Sequence, residues 1–325
     1  MLDDILAIPD HIRDAIWRTD SARLVARPSA GFMVCGMGGS AIGGELARGI
    51  LGERLTGPMV VVRSYRLPRW VNADWAVLGS SYSGETEETF SSFIEAGEVG
   101  THRWVVGTGG KLGEYAREEG IGFVGLPGYF QPRVTVAYMT VVATLAASLA
   151  GVGPDVRDEL SETASFLDDS KAELQEVAAE LALGMDGMPL VVHGVDMTVP
   201  AARRWANQFN ENTKQFAFAG EIPEANHNLM EAWADGDGGF GAVFLLDRDQ
   251  TARERQRMEL TAEAIEGTGA SVFSVETRGE TPSDRLMWAV MLGDLISVNL
   301  AEQRGVDPLP VNQIVDFKKK LGAPR

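Results

Sequence analysis

The chain has 325 residues, a formal net charge of −17, 45% hydrophobic residues and 23% charged residues, which are the proportions of a soluble globular protein with room for two domains. The negative charge argues against nucleic-acid binding, because a phosphate backbone requires a basic protein face. The single cysteine, Cys35, excludes an internal disulfide, and four histidines without a Cys-x-x-Cys pair argue against a metal site.

The chain starts with an acidic amphipathic pattern that predicts a helix over about residues 2–18. It lacks the basic region of a signal peptide, so a cytoplasmic location is expected. Residues 134–153 are uncharged and approach the length of a membrane span. They are rich in Thr, Ala, Ser and Gly, which favours a helix buried in the core or at a subunit interface, and no membrane partner is expected.

Five apolar segments alternate with helical patterns in the first half of the chain: residues 32–35, 59–62, 75–79, 102–106 and 121–124. Alternation of this kind predicts a parallel sheet with right-handed crossovers. Cys35 is predicted to be a buried small residue on the first strand.

Two loops of this half carry anion-binding patterns. The glycine-rich turn 36–44 lies between a strand and a helix, where backbone N–H groups point toward an anion. The loop after the third strand contains Ser81, Ser83 and Thr86, which favours a single phosphate held by hydroxyl groups. Its alternative is a helix-capping turn, with Thr86 as the cap. A dinucleotide site is disfavoured, because Arg63 stands where an acidic residue would bind ribose.

The pattern restarts after a helical connector. Strands are predicted at residues 190–193, 216–219, 242–246 and 271–275, followed by a long helix at 284–302. We interpret this as an internal repeat, and predict an N-terminal domain (1–153), a connector (154–185) and a C-terminal domain (186–325). The loop after the third strand of the second half lacks the hydroxyl side chains of its first-half counterpart.

The second half contains two polar clusters that flank the predicted buried strand 216–219. In the first, Glu211 lies between two amides with Lys214 close by, and in the second, His227 lies between two amides. General acid–base catalysis needs such groups within hydrogen-bond reach of one substrate. The alternative is a surface helix followed by a polar turn.

Five motifs, GMGGSAIGGELA, LGSSYSGETEET, NQFNENTK, EANHN and DFKKKL, occur in this order between about residues 30 and 321. Together they resemble the bifunctional phosphoglucose/phosphomannose isomerases of the phosphoglucose isomerase superfamily. The resemblance implies an α/β fold of two tandem sugar isomerase (SIS) domains, each an α-β-α sandwich, with a five-stranded and a smaller, mainly parallel sheet. It also implies isomerisation of fructose 6-phosphate to glucose 6-phosphate and mannose 6-phosphate, without metal or cofactor.

The resemblance further assigns roles to individual residues. The phosphate of a phosphorylated hexose would bind the loops that carry Gly39, Ser40, Ser81, Ser83 and Thr86.

Proton transfer between C1 and C2 would use Glu211 as the base, through a cis-enediol(ate) that Arg133 stabilises. His227 and Lys318 would open the sugar ring, with His227 contributed by the neighbouring subunit of a homodimer. Spacing alone favours Lys318 over Lys319 and Lys320.

Three alternatives stay open at this point. The family has a threonine linked to tolerance of both C2 epimers, whereas residues 309–312 read Leu-Pro-Val-Asn with Val311 in that segment, so the mannose activity is open. A non-catalytic sugar-phosphate sensor would need the serine loop but not Glu211. A dinucleotide-dependent oxidoreductase is the third possibility.

Overall fold

The computed structural model describes residues 1–236 and 238–322. The first half contains α1 (Leu2–Leu6), α2 (Ile8–Ser21), β1 (Gly31–Gly36), α3 (Gly38–Leu51), β2 (Met59–Val62), β3 (Trp75–Ser80), α4 (Glu87–Val99), β4 (His102–Gly107), α5 (Gly110–Glu118), β5 (Gly122–Gly125) and α6 (Val136–Leu149). The second half contains α7 (Arg157–Met185), β6 (Leu190–Gly194), α8 (Val199–Gln208), β7 (Ala217–Glu221), β8 (Gly241–Leu246), α9 (Ala252–Glu266), β9 (Val272–Glu276), α10 (Pro282–Gln303) and α11 (Asn312–Leu321).

The strands form two parallel sheets with the same winding. The first has the order β2-β1-β3-β4-β5 and the second the order β7-β6-β8-β9, so the second sheet repeats the first without its fifth strand. Every strand pair is parallel. The predicted α/β class, with a five-stranded and a smaller parallel sheet related by a repeat, is confirmed.

Burial on both faces explains the composition of the central strands. All residues of β1 and β3 are buried, as expected for parallel strands covered by helices on both sides. Cys35 is buried on β1, as predicted.

The two halves share a continuous apolar core. Helix α7 packs along α10, and α3 packs against both α6 and α8. The α3–α6 contact is so close that a Cβ on Gly43 would lie 2.4 Å from Cβ of Met139. The segment 132–149 is apolar enough to cross a membrane by length and composition, but 83% of it is buried inside the protein. The proposed domain boundaries at residues 153 and 185 stay predictions.

Two local predictions were wrong. The helix predicted over about residues 2–18 is divided at Ala7 into α1 and α2, and His11 on α2 is buried against Phe130 and Tyr138. The strand predicted at 216–219 forms as β7, but Phe216 and Phe218 are exposed. Strand β7 lies at the edge of its sheet, which leaves these rings without a covering layer.

Candidate active site

The serine loop lies where the winding of the first sheet reverses. Strands β1 and β3 are neighbours, and their last residues, Gly36 and Ser80, are paired in register. The chain leaves β1 into α3 and leaves β3 into the loop 81–86. Ligands of open parallel sheets bind at such a switch point, outside the carboxyl ends of the strands. The two predicted anion-binding loops are therefore brought together.

Hydrogen bonds hold the loop in a defined shape. The Ser40 hydroxyl accepts from the Tyr82 backbone N–H at 3.4 Å, which ties α3 to the loop. The Ser81 hydroxyl donates to Oγ1 of Thr86 at 3.0 Å and accepts from Gly84 N–H at 3.1 Å. Thr86 precedes α4 but makes no side-chain cap bond, so the capping alternative does not account for its hydroxyl.

Glycines allow the neighbouring loop to approach closely. Gly84 has φ +71°, and a Cβ there would lie 1.8 Å from the carbonyl oxygen of Gly109. A Cβ on Gly107 would lie 2.2 Å from the carbonyl oxygen of Ser81. Both distances exclude a side chain, so backbone packs directly on backbone beneath the serine loop.

The residue after β2, which is acidic in a dinucleotide-binding fold, is Arg63 here, and it forms an ion pair. Arg63, just after β2, donates to the buried carboxylate of Glu45 at 2.9 Å, and Arg203 donates to the same oxygen at 2.8 Å. A cation neutralised in this way is not the ribose-binding acid of a dinucleotide fold.

In the second sheet, the segment that follows β8, equivalent to the serine loop after β3, is bonded to side chains of the protein. Arg285 of α10 donates to the buried carboxylate of Asp247 at 2.9 Å and also contacts Asp249. Thr277 donates to the same Asp247 carboxylate at 2.5 Å. The assignment of a phosphate loop to the first half alone stays a prediction.

Arg133 links the region of the serine loop to Glu211. It lies in the 3₁₀ segment Pro132–Thr135, and a Cβ on Gly39 would be 3.3 Å from the Pro132 carbonyl oxygen. Its Nη1 is 3.7 Å from Oε2 of Glu211. Burial lowers the pKa of the Arg133 guanidinium and the neighbouring Glu211 carboxylate opposes this, so the cation remains charged.

Glu211 is presented by a π-helical turn, Phe209–Thr213, that continues α8. Turns of this type widen the helix and are frequent at functional sites. Glu211 lines an open cavity of about 600 Å³. The other residues on the cavity wall are Asn210, Lys214, Gln215, Phe216, Asp307, Pro310, Val311, Asn312, Gln313 and Ile314.

Behind these residues lies a buried polar network that sequence reasoning missed. Arg204 donates to both carboxylate oxygens of Asp294, at 2.9 and 2.6 Å, and to the Arg133 carbonyl oxygen at 2.7 Å. Asn212 accepts from Arg133 Nε at 2.8 Å and donates to the Ser297 hydroxyl at 2.8 Å. Asp294 falls inside an apolar helical pattern, and a charge at a core position was the available signal.

The structure does not place His227 and Lys318 beside Glu211. His227 is exposed at the end of the 3₁₀ turn Glu224–His227, and Lys318 is exposed on α11. Neither lines the Glu211 cavity. Among residues 1–236 and 238–322, no group of three His, Cys, Asp or Glu side chains is placed to hold a metal ion.

Comparison with known proteins gives consistent results. Residues 174–321 match the model of the bacterial phospho-glucose isomerase C-terminal SIS domain. A bifunctional phosphoglucose/phosphomannose isomerase from Aquifex aeolicus is 35% identical, covering 90% of this chain and 91% of that protein. A protein of the same name from Caldicellulosiruptor bescii is 31% identical, covering 99% and 98%. The structure of a putative phosphosugar isomerase from Clostridium difficile 630 superposes with a TM-score of 0.72 at 16% identity, covering 99% and 98%, which confirms the SIS-type fold.

Proposed function

The chain belongs to the family of bifunctional phosphoglucose/phosphomannose isomerases, sugar-phosphate isomerases, and from this premise we propose that it interconverts fructose 6-phosphate with glucose 6-phosphate and mannose 6-phosphate. The observation that carries the proposal is the position of Arg133, whose Nη1 is 3.7 Å from the Glu211 carboxylate while the adjacent Pro132 contacts Gly39 of the phosphate-loop region. We propose on this basis that a phosphate on the serine loop and a base at Glu211 act on the same sugar, although the serine-loop residues do not themselves line the Glu211 cavity.

The phosphate is proposed to bind Ser40, Ser81, Ser83, Thr86 and the backbone at Gly39. The hydroxyls and the start of α3 supply hydrogen-bond donors at the edge of the sheet, where charge-assisted bonds to an anion are strong. Binding energy from this remote group helps to orient the reacting carbons.

Glu211 is proposed as the base that moves a proton between C1 and C2 of the open-chain sugar. Its carboxylate is half-buried on the cavity wall, accessible to substrate. The cis-enediolate formed would carry negative charge beside Arg133, an electrostatic stabilisation of the kind that often dominates catalysis. This chemistry needs one base and hydrogen-bond donors, and it calls for no metal or cofactor.

His227 and Lys318 are proposed to assist ring opening, with His227 reaching the site from the neighbouring subunit of a homodimer. Their exposure within one chain is compatible with that arrangement. The buried position of the apolar segment 132–149 supports its assignment as a core helix rather than a membrane span.

In the test, purified protein is incubated with fructose 6-phosphate in the presence of EDTA, and the formation of glucose 6-phosphate and of mannose 6-phosphate is measured separately. Formation of both supports the proposal, and glucose 6-phosphate alone restricts it to one epimer. Activity that disappears in EDTA would contradict the metal-independent mechanism. Phosphosugar binding without either product would favour the sensor alternative.

The role of Glu211 is tested by Glu211→Gln, with Glu162→Gln as control. Glu162 is exposed on α7, outside the candidate site. We expect Glu211→Gln to lose at least 10²-fold in kcat while retaining fructose 6-phosphate binding, since an amide cannot accept the proton. Equal activity of the two variants would remove Glu211 from the mechanism.

A further inference from the structure

The segment of residues 307–311, here called the proline strap, is bound by two cations through consecutive carbonyl groups. Arg133 Nη2 donates to the carbonyl oxygens of Pro308 and, at 3.1 Å, Leu309. Lys214 Nζ donates to the carbonyl oxygen of Pro310 at 2.8 Å. Pro308 and Pro310 have no N–H, and the Leu309 N–H is bonded to Asp307 within the strap, so carbonyl groups make the strap's hydrogen bonds to Arg133 and Lys214.

The same Lys214 ammonium also donates to the backbone carbonyl oxygen of Glu211. It therefore joins the π-helical turn that carries Glu211 to the strap, which also lines the cavity. Lys214 ends this turn in the left-handed conformation, with φ +56°. A non-glycine residue in this conformation is uncommon and is often found at functional sites.

Lys214 lines the Glu211 cavity, whereas the lysines of α11 do not. Glu211, Lys214, Asp307, Pro310 and Val311 all line the cavity, and among the described residues on its wall Lys214 is the only lysine.

We propose that Lys214 is a positioning residue for the isomerase reaction: its ammonium group holds the Glu211 turn against the proline strap, and so aims the carboxylate at a sugar phosphate in the cavity. This inference rests on the proposed function and adds a residue to it. A misplacement of about 1 Å in such a base costs on the order of 10²-fold in rate.

The charges that face Lys214 come from each surrounding element. Partial burial and the Arg133 cation lower the pKa of Lys214, whereas the Asp307 and Glu211 carboxylates oppose this. Although the Lys214 side chain is exposed, its ammonium group therefore loses its proton at a lower pH than a free lysine does. Because the neutral amine bonds more weakly to carbonyl groups, kcat should decline on the alkaline side as Lys214 deprotonates.

The experiment compares Lys214→Met, Lys214→Arg and the control Lys171→Met in the full-length protein with fructose 6-phosphate. Lys171 pairs with Asp168 on α7, away from the site. We expect Lys214→Met to lose about tenfold to 10²-fold in kcat with KM within about threefold. Lys214→Arg should restore much of kcat and shift the alkaline decline to higher pH, because arginine stays protonated.

Two results would overturn the inference: kcat of Lys214→Met within twofold of the control, or an alkaline decline of Lys214→Arg that coincides with that of the wild type. The second result decides the matter if Lys214→Met fails to fold. The proposed function is tested separately. It requires that the wild type isomerises fructose 6-phosphate and that Glu211→Gln loses this activity. If both hold while Lys214→Met behaves as the control, only the role of Lys214 is refuted.

Discussion

Arg133 donates from Nε to Oδ1 of Asn212 over 2.8 Å, and this buried bond joins the segment beside the phosphate loop to the turn that carries Glu211. The two residues are 79 positions apart in the chain. Arg133 also binds the proline strap, so one side chain sets the relative positions of three parts of the candidate site.

This geometry predicts that Arg133→Lys is not a conservative change. A lysine carries a single ammonium group and cannot reproduce the planar fork that reaches Asn212, the strap and Glu211 together. We expect kcat to fall by about 10²-fold or more, with a smaller change in KM. Steady-state kinetics against Arg253→Lys, an exposed control on α9, provides the measurement. A loss of less than threefold would show that the guanidinium fork is not required and that a single positive charge at this position is sufficient.

The pair of Arg204 and Asp294 predicts a large loss of stability on breaking one partner. Both side chains are at most 3% exposed, and burial raises the pKa of Asp294 while Arg204 opposes this. Asp294→Ala leaves an uncompensated buried cation, which costs about 3–5 kcal/mol in the free energy of unfolding. Urea denaturation checks this value.

The matched control is Asp10→Ala, whose partner Arg13 lies on the surface. It should change the free energy of unfolding by about 1 kcal/mol or less. Similar losses in both variants would mean that the buried network contributes little.

Gly84, a residue of the serine loop, allows a steric effect to be separated from the cost of the left-handed backbone conformation. Gly84 and Gly187 both have positive φ, at +71° and +81°. An added Cβ meets the Gly109 carbonyl oxygen at position 84 but has open space at position 187.

Gly187→Ala should therefore cost about 1 kcal/mol for the left-handed conformation alone. Gly84→Ala should cost clearly more and weaken phosphosugar binding, because the serine loop must move away from Gly109. Thermal unfolding and fructose 6-phosphate titration of both variants test this, and equal losses of stability would exclude the steric explanation.

Local patterns were sufficient to predict the strands and their parallel pairing. Apolar runs and glycine turns are each encoded within a few residues. The similar winding of the two sheets follows because the same series of strand, turn and helix patterns occurs twice in the chain. The burial of Phe216 and Phe218 was wrongly predicted, because an apolar run does not reveal that the strand it leads into, β7, lies at a sheet edge.

The connections through Arg133, Arg204 and Asp294 were not predictable in the same way. They join residues 71 to 90 positions apart, and their pairing depends on how α6, α8 and α10 pack. The motif resemblance implied a role for Arg133, but nothing in the local sequence identified Asn212 or Asp294 as its support. The sequence places Lys214 three residues after Glu211. Its hydrogen bond to Pro310 could not be predicted, because Pro310 is 96 positions away in the chain.

His193 predicts a specific loss of stability in acid. It is 1% exposed on β6, stacked on Phe244 with ring centroids 4.7 Å apart, and burial lowers its pKa to about 4. The unfolded chain binds a proton at His193 near pH 6.5, whereas the folded chain does so only near pH 4. Stability from this residue is therefore complete above pH 6.5 and declines as the pH falls through that window, by about 3 kcal/mol in total.

The measurement is urea denaturation of the wild type and His193→Phe at pH 7.5 and pH 4.5. Phenylalanine keeps an aromatic ring against Phe244 and cannot take up a proton. Carboxylates elsewhere titrate in both proteins, so the difference between the two pH-dependent losses isolates His193. We expect the wild type to lose about 2–3 kcal/mol more than the variant between these pH values. Equal losses would mean that His193 takes up its proton in the folded protein as readily as in the unfolded chain.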